Sequence, residues 1–402
     1  MFDRIENKSK FFKYLLAIYF MFSPLDYILP HFGEATVMLV VGLLISALAA
    51  FMAFGHEYVK LENDQICIFL LMMMMVASNF WAIDGARAFS YTFSFVATAA
   101  MYFLLLFFKF SKDEIELFET AFIIGGTIFI LYVFTQIDLS KIMDGYRLNL
   151  KRIGNEEYFA DPNGLAARLM MPLILMIKRI FERKSKGLKV LYVGLAGTMT
   201  YIILLTGSRA SVLSMGAMIG VLLLTLGNKR WGTIFVIGLI ALGVILLMPD
   251  ILPEHIVNRV FNLEKYTEIT TAEGDRIDIW KNVIVNVFPI APFFGHGAGN
   301  ASVSLIEHYG YAKSVHSSWF TMLADLGIIG FVLWMSLIFG KMKQAFILRK
   351  NNAYVLAVLV AVLLMSSTLD AVNEKYLWNS FLYVHLITVM YVSKDEIIQK
   401  IK

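Results

Sequence analysis

Residues 188–226 read LKVLYVGLAGTMTYIILLTGSRASVLSMGAMIGVLLLTL. Two long apolar runs flank TGSR at 206–209, and Arg209 stands there with no acid beside it in sequence. A membrane helix takes about 20 mostly apolar residues, with roughly 17–25 as the usual range. The stretch therefore reads as two spans, 188–206 and 209–226, interrupted by Gly207 and Ser208; the other reading is one kinked helix. Two spans fix the sidedness of everything that follows and put Arg209 at the outer end of the second.

The rest of the chain supports a membrane setting. Of 402 residues, 58% are hydrophobic and 16% charged, and the mean hydropathy is +0.69. A soluble domain carries about 25% charged residues, so this is the composition of an integral membrane protein, and the many separate apolar runs make it polytopic. Aromatics at 14% suit membrane interfaces, where Trp and Tyr collect. The net charge of +4 does not point to nucleic acid. The one cysteine, Cys67, lies in an apolar run and forms no intramolecular disulfide. The basic start MFDRIENKSKFFK precedes an apolar stretch that continues through Pro24 to Pro30 without a small-residue cleavage site, which predicts an uncleaved first helix.

Twelve spans are expected, near 12–30, 34–54, 65–82, 88–108, 117–137, 163–180, 188–206, 209–226, 232–248, 316–340, 353–372 and 377–393. Cytoplasmic loops carry the lysine and arginine excess. With the N-terminus inside, 22 of the 35 basic residues fall on the inner side and 12 on the outer. The densest run, KRIFERKSKGLK at 178–189, is inside, and both termini are cytoplasmic.

The fold class expected is thus an all-α polytopic membrane protein, a single membrane domain over 1–402, with one large extracytoplasmic loop at 249–315. Within that loop EGDRIDIWKNVIVNVF (273–288) sets Ile277, Trp280, Val283, Ile284 and Val287 at helical spacing, an amphipathic helix lying on the bundle or the membrane surface. Pro289, Pro292 and the turn GHGAG (295–299) end it.

Three outer-face residues are candidates for chemistry. Arg209 is either an arginine snorkelling to the interface or a cation facing an outward cavity; helix breaks in membranes are tolerated mainly where they line such cavities. Arg276 lies on the loop helix, where Glu273, Asp275 and Asp278 are available to pair with it. His316, in KSVHSSWFTMLADLGIIGF, stands where the chain re-enters the membrane, as an interfacial cap or as a general base. Together, two arginines and a histidine suit an anionic, phosphate-bearing substrate and a hydroxyl to be deprotonated, because arginine grips phosphate through a planar fork. No metal spacing or Walker loop is present, so neither metal nor ATP chemistry is indicated.

Asp161 and Asn163 in YFADPNGLAARL suit the start of a helix. Arg168 either snorkels or faces the bundle, Asp325 calls for an interior partner, and His385 reads as a core or cavity histidine. Lys141, Arg147, Lys151 and Arg152 make the loop at 138–162 basic, toward glycans or lipid head groups.

LLTGSRASVLS (204–214) resembles the TGSRG-type arginine motif of the O-antigen ligase and polymerase superfamily of bacterial membrane glycosyltransferases. GDRIDIWKNVIVNVFPIAPFFGHGAG (274–299) is similar to that family's outer-loop pattern of an arginine, a tryptophan four residues on and a glycine-rich turn. VHSSWFTMLADLGIIGF (315–331) resembles its His-Asn re-entrant stretch with a following acid and Gly-x-x-Gly, and DPNGLA (161–166) a fourth stretch. The resemblance covers 161–340. Ser317 replaces the family's asparagine and Ala210 its glycine.

The resemblance implies a GT-C-like helical bundle and a donor glycan on undecaprenyl diphosphate at the outer leaflet of the bacterial cytoplasmic membrane. Carried over, Arg209 and Arg276 hold the diphosphate and His316 activates the acceptor hydroxyl. Asp161, Asn163, Arg168 and Asp325 join the substrate site, and no metal or other cofactor is needed. The acceptor is a glycan or a lipid, with a chain-length regulator or a flippase as further partners. Of the two reactions, polymerase is slightly favoured over ligase. The alternative from another class is a permease or lipid-linked glycan flippase, which should carry ionisable residues near the midplane in two corresponding halves.

Overall fold

A computed structural model describes residues 4–6, 8–32, 35–55, 61–138, 141–142, 146–148, 150–153, 155–227, 231, 238, 254–261, 276–310 and 314–391. In chain order its helices are α1 (Lys10–Phe22), α2 (Val37–Phe54), α3 (Asn63–Ser78), α4 (Gly85–Leu105), α5 (Lys112–Gln136), α6 (Pro162–Glu182) and α7 (Lys186–Leu205). They continue as α8 (Arg209–Thr225), α9 (Glu254–Phe261), α10 (Arg276–Asn282), α11 (Ala301–Tyr309), α12 (Ser318–Leu348), α13 (Ala353–Ser366) and α14 (Lys375–Tyr391). Two small antiparallel hairpins, His31–Phe32 with Ala35–Thr36 and Lys151–Arg152 with Asn155–Phe159, are the only strands among the described residues.

The protein is an all-α membrane protein. Five helices, α2, α4, α5, α7 and α12, are long and apolar enough to cross a bilayer, and α3, α8 and α13 are shorter apolar helices. Every expected span except 232–248 overlaps a helix; of that ninth one only residue 238 is among the described residues. The break at 206–208 is real, with α7 ending at Leu205 and α8 starting at Arg209.

Short polar side chains set the helix starts. Ser9, Thr36, Asp84, Asp161 and Ser208 each accept a backbone N–H from the first turn, and Ser111 with Glu114 forms a capping box. Such a cap contributes about 1 kcal/mol by pairing one otherwise orphaned donor.

Helix α6 is the hub, buried along almost its whole length, and α13 and α14 are nearly as enclosed. The surrounding helices turn apolar side chains outward: Phe51 and Leu224 are each 81% exposed. Bare apolar surface on this scale is what a lipid solvent covers. Gly125 and Gly126 let α5 close in on its neighbours; a Cβ at the first would sit 1.9 Å from the Met21 carbonyl oxygen, and at the second 2.6 Å from Pro172. Small residues at such crossings are how membrane helices gain packing contact.

Helices α8 and α13 run antiparallel, since Thr225 to Gly227 and Asn352 to Tyr354 line one cavity at one end of the bundle. Arg209 and Ser366 therefore share the other end. Helix α12 is broken at Gly327 (φ 62°, ψ −163°), a backbone region essentially confined to glycine. The break frees carbonyls, and the glycine-rich turn takes them: His296 N–H donates to Ala324 O and Gly297 N–H to Asp325 O, both at 2.9 Å. In return Ile328 N–H donates to Pro292 O at 2.8 Å. The GHGAG turn and the Gly-x-x-Gly stretch are thus two halves of one joint.

Candidate functional site

Arg209 opens α8, half-buried, directly after the Thr206–Gly207–Ser208 turn. Gly207 takes φ 58°, which lets the chain reverse between two adjacent helices. The turn is held from outside by Arg147, whose Nε donates to Thr206 O at 2.7 Å and whose Nη2 donates to Asn163 Oδ1 at 3.1 Å. Asn163 Nδ2 donates in turn to Asp161 Oδ1 at 3.1 Å, while Asp161 Oδ2 caps α6 through Gly164 N–H at 2.9 Å. One network so joins the start of α6 to the start of α8. Nearby, the Tyr146 carbonyl lies 3.2 Å from His255 Nε2 on α9.

Arg168 faces the bundle rather than snorkelling. Its guanidinium pairs with Glu374, donates to Gly164 O at 2.9 Å and lies over the Tyr27 ring at 4.1 Å. That is a satisfied, buried cation, tying α6 to the start of α14.

Trp280 ties the loop helix that carries Arg276 to the stretch that carries His316. The indole Nε1–H donates to Val315 O at 2.9 Å, and the ring stacks on Phe320 with centroids 5.2 Å apart. Arg276 lies one helical turn before Trp280, and His316 is the residue after Val315. His316 is the one non-glycine with positive φ among the described residues, at 49°. Such backbone strain persists only where neighbours hold it and gathers at functional sites.

The neighbours are identifiable. Ser318 Oγ donates to Leu369 O at 2.9 Å and accepts from Ala371 N–H at 2.8 Å, and Trp319 Nε1–H donates to Ser367 Oγ at 2.9 Å. These contacts fasten the His316 stretch to the end of α13, the end that α8 shares through Arg209. The Ser317 hydroxyl is fully buried and has no partner among the described residues.

Asp325 is fully buried, and its oxygens accept from Gly299 N–H at 2.8 Å and Ala301 N–H at 2.6 Å. It has the expected interior partner, the glycine turn itself. Asp370, in the turn after α13, accepts from Tyr91 Oη at 3.3 Å. His385 is buried as expected, 2.9 Å from an Arg4 guanidinium nitrogen.

The loop helix departs from the expected face. Ile279, Val283 and Val287 pack inward with Trp280 half-buried, whereas Ile277 and Ile284 are 65% and 48% exposed. Residues 283–287 are wound as a π-helix, whose wider turn keeps a four-residue spacing on one face. Sequence reasoning also underrated Arg147, read only as part of a basic loop, and passed over Glu374 and Asp370. Their partners are distant in sequence, and no local pattern marks them.

Residues 194–335 match the family described as O-antigen ligase. The matched region holds Arg209, Arg276, His316 and Asp325 and runs from α7 into α12, about a third of the chain. The resemblance to the O-antigen ligase/polymerase superfamily is borne out there, and a multi-pass membrane protein of the glycan-transferase type is the class it supports. No curated protein matches the chain.

Proposed function

We propose that the protein transfers a glycan from undecaprenyl diphosphate to an acceptor hydroxyl at the outer face of the bacterial cytoplasmic membrane, without a metal ion. Arg209 and Arg276 hold the diphosphate as planar forks. His316 accepts the hydroxyl proton as the acceptor oxygen bonds to the anomeric carbon. The bond from that carbon to the phosphate oxygen breaks, and the undecaprenyl diphosphate leaves with its charge stabilised by the arginines. Arg147 and Arg168 support this frame through Asn163 and Glu374, and Asp325 positions the turn beside it.

The observation that carries the reading is the Trp280–Val315 hydrogen bond, which ties the loop helix, one turn after Arg276, to the residue before His316, whose own backbone takes a positive φ. The acceptor is another lipid-linked repeat in the polymerase reading, slightly favoured on the form of the His316 stretch, and a lipid or surface glycan in the ligase reading.

Two measurements test it. Arg209→Ala, Arg276→Ala and His316→Ala should each remove transfer, by at least ~100-fold for the base, while the chain still inserts; wild-type transfer by any one would refute that residue's role. Mass spectrometry of undecaprenyl-linked glycans in cells lacking the protein separates the reactions. Single repeat units accumulate if it is a polymerase and long lipid-linked chains if it is a ligase. Unaltered intermediates with lost transport of a defined substrate would leave the permease or flippase reading standing.

A further inference from the structure

At the end of the bundle opposite Arg209, the termini of α5, α6, α8, α12, α13 and α14 line a half-open cavity of about 930 Å³. That is at the upper end of the roughly 300–1,000 Å³ typical of small-molecule sites. Its wall carries six cations, Lys112, Lys178, Arg179, Arg183, Arg349 and Lys350, against three acids, Glu116, Glu119 and Glu182.

The acids do not neutralise the wall evenly. Glu119 is 1% exposed and takes Lys178 Nζ at 2.5 Å, Arg179 Nη2 at 3.2 Å and the Tyr383 hydroxyl at 2.8 Å. Glu182 lies 3.9 and 3.8 Å from the same two cations. Both deep cations are therefore compensated, and the excess charge sits on the other four. Arg183 Nε is buried with no partner among the described residues, although a buried guanidinium N–H without an acceptor is costly. Arg349 Cζ lies 3.7 Å from the centroid of the Phe346 ring, with Nη1 donating to Phe346 O at 2.6 Å, which leaves its other N–H groups for a ligand. The general excess of basic residues on an inner face explains cations here, but not a roomy cavity with an orphaned guanidinium donor inside it.

We infer that this cavity binds a phosphate ester, the headgroup of an anionic membrane lipid or a soluble counterpart, through Arg183, Arg349 and Lys350. The ligand would draw together six helix ends, among them those of α8 and α13, whose opposite ends carry Arg209 and the anchor of His316. The inference does not depend on the transfer reaction proposed above.

The test uses the purified full chain in neutral detergent, with thermal unfolding and native mass spectrometry as readouts. Phosphatidylglycerol, phosphatidylcholine and sn-glycerol 3-phosphate are the probes. Phosphatidylglycerol should raise Tm saturably and stay bound in the mass spectrum, while phosphatidylcholine does neither. If glycerol 3-phosphate alone gives the full shift, the natural occupant is soluble; if only phosphatidylglycerol does, it is a lipid. Arg183→Gln with Arg349→Gln should weaken apparent affinity roughly tenfold or more. Lys350→Gln, at an exposed position, should weaken it less without disturbing folding. Equal shifts with phosphatidylglycerol and phosphatidylcholine, no shift with any phosphate probe, or full affinity in all these variants would overturn the inference.

Discussion

Replacing Gly327 by alanine tests whether the joint between α12 and the glycine turn holds the site in place. At φ 62° and ψ −163° an alanine is strained by ~1–3 kcal/mol. Its Cβ would also stand 2.5 Å from the carbonyl carbon and oxygen of Phe293 and 2.7 Å from Phe294 N. Those atoms are backbone and cannot rotate away, so the 291–295 segment must withdraw. Withdrawal breaks the bonds from Ile328 N–H to Pro292 O at 2.8 Å and from Ile329 N–H to Phe293 O at 3.4 Å. At ~0.5–1.5 kcal/mol for each of the two bonds, the total is roughly 2–6 kcal/mol. With one decade per ~1.36 kcal/mol, the joint should open roughly 30-fold more often at the least. Hydrogen exchange read by mass spectrometry on peptides covering 291–300 measures this directly, because amide protection follows the local opening free energy. The amides of His296 and Gly297, which donate to Ala324 and Asp325, should lose protection while α6 keeps its own. Transfer should fall with them. Unchanged protection at 291–300 in a folded Gly327→Ala protein would show that the joint tolerates a Cβ and that the reasoning about the kink is wrong.

Lys341 is fully buried and pairs with Asp64 at 2.5 Å, so Asp64→Leu alone should destabilise the chain by ~3–5 kcal/mol by leaving a buried cation. Adding Lys341→Met should recover most of that, and a double-mutant cycle on Tm that shows simple additivity would count against the pairing.

Local pattern was legible in the amino-acid order. Apolar run lengths placed the helices, and the Gly207–Ser208 interruption separated α7 from α8. Ser208 and Asp161 cap the helices they precede, because a short side-chain oxygen reaches the next turn's N–H wherever the chain bends there. Arg209, Arg276 and His316 were marked by charge in unexpected places and by the resemblance of their surroundings.

Which distant groups meet became visible in the folded bundle alone. The carbonyls freed by Gly327 find their donors about 30 residues back in the chain, in a turn whose glycines admit the close approach. Arg147 finds Thr206 and Asn163, and Arg168 finds Glu374, across separations that no periodicity encodes. The face of the loop helix also changed, because π-winding at 283–287 selects Ile279, Val283 and Val287 over Ile277 and Ile284. Local propensity fixes where a helix begins and ends; which side chains and carbonyls it turns inward is fixed by the packing partners and hydrogen-bond acceptors that the folded bundle supplies.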